Sequence, residues 1–122
     1  MPGTRLTFKE MCARFDVTPR TLRYYEYIEL LSPEREGRSR FYGKREVARM
    51  TLILRSRRFG FSLEDIRKWL ELYETRGSKA QYETALDLID GQMKVLLDQK
   101  AELDAAIDDL KALRQEVAGL VS

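Results

Sequence analysis

Apolar residues spaced alternately four and three apart fill the last third of the chain, and no other feature restricts the fold as strongly. One heptad position reads Tyr82, Ile89, Leu96, Leu103, Leu110, Val117, and the position four residues on reads Leu86, Met93, Lys100, Ile107, Arg114. No proline interrupts the stretch from about Ala80 to Ala118. These are the d and a positions of a coiled coil, so the stretch is expected as one helix roughly 60 Å long. A single helix cannot bury such a seam by itself. A second copy of the chain is the simplest cover, which predicts a homodimer with Leu86, Ile89, Met93, Leu96, Leu103, Ile107, Leu110 and Val117 in the interface. Folding back onto its own front domain is the alternative, but that domain is much shorter than the rod. Lys100 and Arg114 on the seam would fix register or orientation at some cost in stability.

The rest of the chain differs in charge as well as in pattern. Of the 122 residues, positions 1–76 hold 17 Lys and Arg against 11 Asp and Glu, whereas positions 77–122 hold 5 against 9. A basic front and an acidic back suggest different partners, and nucleic acid is the usual partner of the basic one. The expected domains are accordingly 1–76 and 77–122. There is one cysteine, Cys12, and no histidine. That excludes an intrachain disulfide and any His-based metal spacing or Ser-His-Asp arrangement, so no cofactor, metal or catalytic residue is expected and the chain does not read as an enzyme. Cys12 reads as a small buried hydrophobe. No apolar run approaches the length that spans a bilayer, and "MPGTRLTFKEM" lacks the apolar core of a secretory signal. The expectation is a cytoplasmic protein without membrane contact.

Along the basic part, "TFKEMCARFD" predicts a first helix, with Thr7 and Glu10 as a capping box and Phe8, Met11, Cys12 and Phe15 on one face. Three residues later "DVTPRTLRYYEYIELL" predicts a second, with Thr18 as N-cap and Pro19 in the first turn. Its buried face would be Leu22, Ile28 and one of the adjacent pair Tyr24 and Tyr25. Two helices joined this closely have the connection of a helix-turn-helix. "LSPEREGRSRFY" reads as a short β-hairpin carrying Arg35, Arg38 and Arg40. "GKREVARMTLILRSRRFGFS" predicts a third helix, with Val47, Met50, Leu52, Ile53 and Leu54 on its apolar flank, stopped by Gly60. "SLEDIRKWLELYE" predicts a fourth, with Ser62 as N-cap and Asp65 at the capping-box position. Trp69 on this helix reads as core packing at the junction with the long helix.

"LTFKEMCARFDVTPRTLRYYEYIELLSPER", followed by "GRSRFY" and "RFGFSLEDI", resembles the DNA-binding domain of MerR-family transcriptional regulators. The order and spacing of the pieces agree along essentially the whole chain. The resemblance implies a mainly α fold: a winged helix-turn-helix DNA-binding domain followed by a long antiparallel coiled-coil dimerisation helix. It implies binding of double-stranded promoter DNA as a homodimer and engagement of RNA polymerase, by bending and untwisting the spacer between the −35 and −10 elements. It also places residues. Arg20 and Arg23 fall where the second helix approaches the major groove, beside Thr18 and Thr21. Tyr24 and Tyr25 fall where hydroxyls contact phosphates. Arg35, Arg38, Arg40 and Tyr42 fall on the wing, and Arg57 at a position that touches the backbone. Arg55 and Arg58 are as readily the polar face of their helix. This sequence departs from the family in having Glu29 where a glycine is usual.

Guanidinium groups bind phosphate in a bidentate manner and read guanine edges, and hydroxyls donate to phosphate oxygens. Residue chemistry and resemblance therefore point the same way. Metal-sensing relatives carry cysteines at the end of the dimerisation helix, and "LRQEVAGLVS" has none. Either no small-molecule effector acts, or one binds near Trp69 and Tyr73. The remaining class is a dimeric coiled-coil adaptor whose basic domain binds protein, which salt-dependent duplex binding would distinguish.

Overall fold

The computed structural model describes residues 5–122. Residues 1–4, part of the stretch read above for a secretory signal, lie outside the described residues. The chain divides into two compact units, Met1–Gly77 and Ser78–Ser122.

The first unit runs β1 (Leu6–Thr7), α1 (Phe8–Phe15), α2 (Pro19–Tyr27), β2 (Glu34–Glu36), β3 (Ser39–Tyr42), α3 (Lys44–Arg58) and α4 (Leu63–Glu74). Each helix starts at a residue that supplies a local acceptor, apart from α3, whose N-cap Gly43 has no side chain to offer. Thr7 and Glu10 form a reciprocal box: Glu10 N–H donates to Thr7 Oγ1 at 3.2 Å and Thr7 N–H to Glu10 Oε1 at 2.9 Å. Ser62 Oγ accepts from Asp65 N–H at 3.1 Å. The sequence had placed Asp65 at the capping-box position, but Asp65 does not return the bond; its side chain is one methylene shorter than that of the Glu or Gln which closes a box.

Three helices end in one geometry. Val17 N–H donates to the Cys12 carbonyl, Leu30 N–H to Tyr25, and Phe61 N–H to Ser56, each bond spanning five residues. A shorter bond sits inside each, from Asp16 to Ala13, Glu29 to Glu26 and Gly60 to Arg57. These are Schellman endings, which require one residue in the left-handed region. Gly60 takes it without strain at φ 88°, but Asp16 at φ 52° and Glu29 at φ 64° carry side chains there. The glycine expected at position 29 is therefore absent where the backbone calls for one.

The sheet order is β1-β3-β2, antiparallel throughout, with Leu6 opposite Tyr42 and Thr7 opposite Phe41. Strand β1 was not expected: two residues are too few to show a period of two. Arg5 staples it to the hairpin, donating to Glu34 and Glu36 at 2.9 and 3.0 Å and lying 4.2 Å from the Phe41 ring centre. The core draws on every helix of this unit: Met11 from α1, Leu22 and Tyr25 from α2, Met50, Leu52 and Ile53 from α3, Ile66 and Leu70 from α4, with Leu30, Leu31 and Tyr42 between them. Burying a side chain of this size contributes about 1.5–3 kcal/mol. Trp69 is partly buried against the same core, its ring centre 6.5 Å from that of Tyr73.

The second unit is one helix, α5 (Lys79–Val121), slightly longer at both ends than the periodicity suggested. Ser78 and Gln81 form a capping box at its start: Gln81 N–H donates to Ser78 Oγ at 3.2 Å and Ser78 N–H to Gln81 Oε1 at 2.7 Å. At about 1.5 Å per residue its 43 residues extend roughly 65 Å. None of them is buried. Among the described residues no helix is long and apolar enough to cross a membrane.

Candidate nucleic-acid interface

The second helix begins at Thr18, whose Oγ1 accepts from Thr21 N–H at 3.1 Å and lies 2.9 Å from Thr21 Oγ1. Pro19 occupies the first turn, where its missing N–H costs nothing. Residues three and four apart share a helix face, so Arg20, Arg23 and Tyr24 stand together, and all three are exposed. The ambiguity between the neighbouring tyrosines is resolved: Tyr24 is 46% exposed and Tyr25 is 0%.

Burial changes what Tyr25 and Tyr42 can do. Tyr25 had been expected to present its hydroxyl to phosphate, and Tyr42 to stand among the DNA-binding residues of the wing. Instead both rings lie in the core and both hydroxyls are engaged inside the protein. Arg57, in the last turn of α3, donates from Nη1 to Tyr25 Oη at 2.7 Å. Tyr42 donates its hydroxyl to Glu26. Burial, and then this bond to a carboxylate, push the Tyr42 pKa well above its ordinary value.

The wing is the β2–β3 hairpin. Its tight turn puts Gly37 at φ 62° and Arg38 at the tip, between the paired residues Glu36 and Ser39. Arg35 and Arg40 are direct cross-strand partners. Like charges so placed repel. Glu26 from α2 offsets them: its Oε1 lies 3.0 Å from Arg40 Nε and 3.6 Å from Arg35 Nη2. The Arg40 contact is one of charge, for its buried Nε–H has no aligned hydrogen-bond acceptor. Phe8 adds a second link, since the guanidinium carbons of Arg23 and Arg40 lie 5.2 and 5.3 Å from its ring centre. Arg20, Arg23 and Arg38, by contrast, form no ion pair among the described residues.

The sequence reading gave Glu26 only as part of "RYYE" and Phe8 only as an apolar contact. Their partners stand nine or more residues away along the chain, a separation at which no local spacing rule applies. Cys12 is half-buried in α1, and burial raises its thiol pKa, which suits a packing residue. Among the described residues no group of three His, Cys, Asp or Glu could hold a metal ion.

A helix pair, a basic hairpin behind it and a third helix ending in arginines define a winged helix-turn-helix protein, with exposed guanidinium groups on its second helix and wing tip. The family model for MerR HTH family regulatory proteins matches residues 6–73, and the model described as MerR, DNA binding matches residues 47–120. The HTH-type transcriptional regulator HmrR of Rhizobium leguminosarum bv. viciae is 34% identical over 114 residues, which cover 92% of this chain and 81% of that protein. A MerR-family transcriptional regulator from Bacillus cereus has the same fold, with a TM-score of 0.74 and 27% identity over 93% of this chain and 82% of its own. HiNmlR, a MerR family regulator lacking the sensor domain and solved bound to promoter DNA, shares the fold at a TM-score of 0.69 and 24% identity, over 86% of this chain and 80% of that one. The chain belongs to the MerR family of transcriptional regulators.

Proposed function

We propose that this regulator binds double-stranded promoter DNA as a homodimer, with α2 in the major groove and the wing on the flanking backbone. The observation that carries this reading is the set of exposed guanidinium groups at Arg20, Arg23 and Arg38, which form no ion pair among the described residues and are presented by a family-typical winged helix-turn-helix. Arg20 and Arg23, in the first turns of α2, are assigned to base edges. Thr18, Thr21 and Tyr24 are assigned to phosphate oxygens, and Arg35, Arg38, Arg40 and Arg57 to the backbone. Tyr25 and Tyr42 act from inside, by holding Arg57 and Glu26 in place. Two copies of α5 pair antiparallel along the seam of Leu86, Ile89, Met93, Leu96, Leu103, Ile107, Leu110 and Val117. The dimer bends and untwists the spacer between the −35 and −10 elements so that RNA polymerase engages both. A protein that deforms DNA selects sequence partly through the cost of the deformation. The cytoplasm is the compartment for this task, and no catalytic role is proposed.

Two measurements test the reading. Affinity for a duplex of its own upstream DNA should fall steeply with salt, as counterion release requires. An absence of binding at low salt would favour the protein-binding adaptor. In transcription assays, activation should vanish when the promoter spacer is shortened; activation that ignores spacer length would remove the untwisting mechanism.

A further inference from the structure

Glu26 is a carboxylate on a surface assigned to phosphate, and the side chain is only 8% exposed. Both facts count against it. Burial of a charge is costly unless it is paired, and a negative group near a phosphate backbone opposes binding. Its partners explain its presence. Tyr42, Arg40 and Arg35 all come from the β2–β3 hairpin, whereas Glu26 stands in the last turn of α2. The single carboxylate therefore ties the helix assigned to base reading to the hairpin assigned to the backbone. It also separates Arg35 from Arg40, which the strand register sets opposite one another. Phe8 of α1 reinforces the link, since the guanidinium carbons of Arg23 and Arg40 both lie within 5.3 Å of its ring centre.

We infer that Glu26 is a specificity-determining positioning residue, fixing the wing at a set distance from α2 through Tyr42 and Arg40. The inference rests on the reading that α2 and the wing both face DNA. Two contact elements held rigidly fit one groove geometry and reject others, because groups ordered before binding lose no freedom on the right site. Two elements free to adjust fit many geometries with little preference. Removing the charge of Glu26 thus has opposite effects on two quantities. It releases two guanidinium groups and a repulsive charge, which strengthens binding to any duplex. It loosens the spacing, which weakens the preference for the right one.

The test uses the full-length protein with two duplexes at fixed salt: its own upstream DNA, and a shuffled duplex of equal length and composition. Glu26→Gln is expected to raise affinity for the shuffled duplex a few-fold and to lower the ratio of the two affinities by about tenfold. Tyr42→Phe keeps the charge and the ring but loses the hydroxyl. It should lower the ratio without raising the affinity for shuffled DNA, and it decides the matter should Glu26→Gln fail to fold. A ratio unchanged in the folded variants would leave Glu26 a plain counter-ion and overturn the inference. Arg38→Ala separates this from the reading beneath it: it should weaken both duplexes alike. Loss of affinity in Arg38→Ala with unchanged ratios in the other two sinks the positioning role alone. No effect of Arg38→Ala removes the DNA-facing wing, and the inference with it.

Discussion

The two units deal with apolar surface in opposite ways. In residues 5–77 every helix contributes to one closed core, and Met11, Leu22, Tyr25, Met50, Ile53 and Ile66 are wholly buried. In α5 nothing is buried, and the seam stands open at Leu103, 64% exposed, and Leu110, 65% exposed. The first unit can complete its packing within one chain. The second presents an apolar stripe, interrupted at Lys100 and Arg114, of the kind a partner helix covers. On the proposed reading the two units should draw on separate sources of stability, so that each can be broken without the other.

The largest effect should come from the seam. Leu103→Asp places a charge in the interface of both copies and should weaken dimerisation by more than about 3 kcal/mol. Sedimentation should then give monomers while the first unit keeps its melting transition; an intact dimer would refute the seam. The converse change is Ile53→Ala, a truncation at a fully buried site, expected to cost about 2–5 kcal/mol. It should lower the melting transition of the first unit and leave α5-mediated association in place. Loss of both together would show that the units are not energetically separate.

Within the reading unit, Arg23→Ala should weaken binding to the right site by roughly 1–3 kcal/mol and relax its preference, with melting unchanged. Equal weakening on all sequences would make Arg23 a phosphate contact.

Alkali should distinguish the units as well. The Tyr42 pKa is raised in the folded protein above its ordinary value of 10.0. The stability this gives is complete below pH 10 and is lost above it, at about 1.4 kcal/mol per pH unit. Tyr42→Phe should remove that part of the pH slope from the first unit's unfolding, and α5 should show none of it.

The smallest change is Glu29→Gly. A non-glycine residue in the left-handed region costs about 1–2 kcal/mol, part of which glycine gives back through its freer unfolded state. A net gain of roughly 0.5–1 kcal/mol is expected in the first unit's melting, and none in dimer affinity.

How much was legible in the sequence follows the same division. The long helix announced itself because its pattern repeats, and the boxes at Thr7 and the cap at Ser62 because their partners are three residues away. Gly60 marked the end of α3 because glycine is the usual residue there. The end of α2 was harder, since Glu29 performs the same turn without the usual residue. Adjacent side chains on a helix differ by about 100° in direction, so either Tyr24 or Tyr25 could have faced inward until the position of α3, and of Arg57 on it, was known. Glu26 and Phe8 were invisible for a like reason: their meaning lies in residues that only the fold brings near. The pairing of Arg35 with Arg40 depends on the hairpin register, which the turn at Gly37 and Arg38 sets.

The capping box at Ser78 has a consequence for how the molecule could be rebuilt. Thr75 leaves α4 in an extended conformation at φ −112° and ψ 159°, and α5 does not continue the earlier helix but starts anew from its own side chains. The instruction to begin is thus carried by four residues, Ser78 to Gln81, and travels with them. Heptads inserted or removed beyond that point would change the length of the rod in steps of about 10 Å while the start signal and the residues before it stay as they are. In that sense the start of α5 is a self-contained cassette, and the boundary between the two parts is written at Ser78.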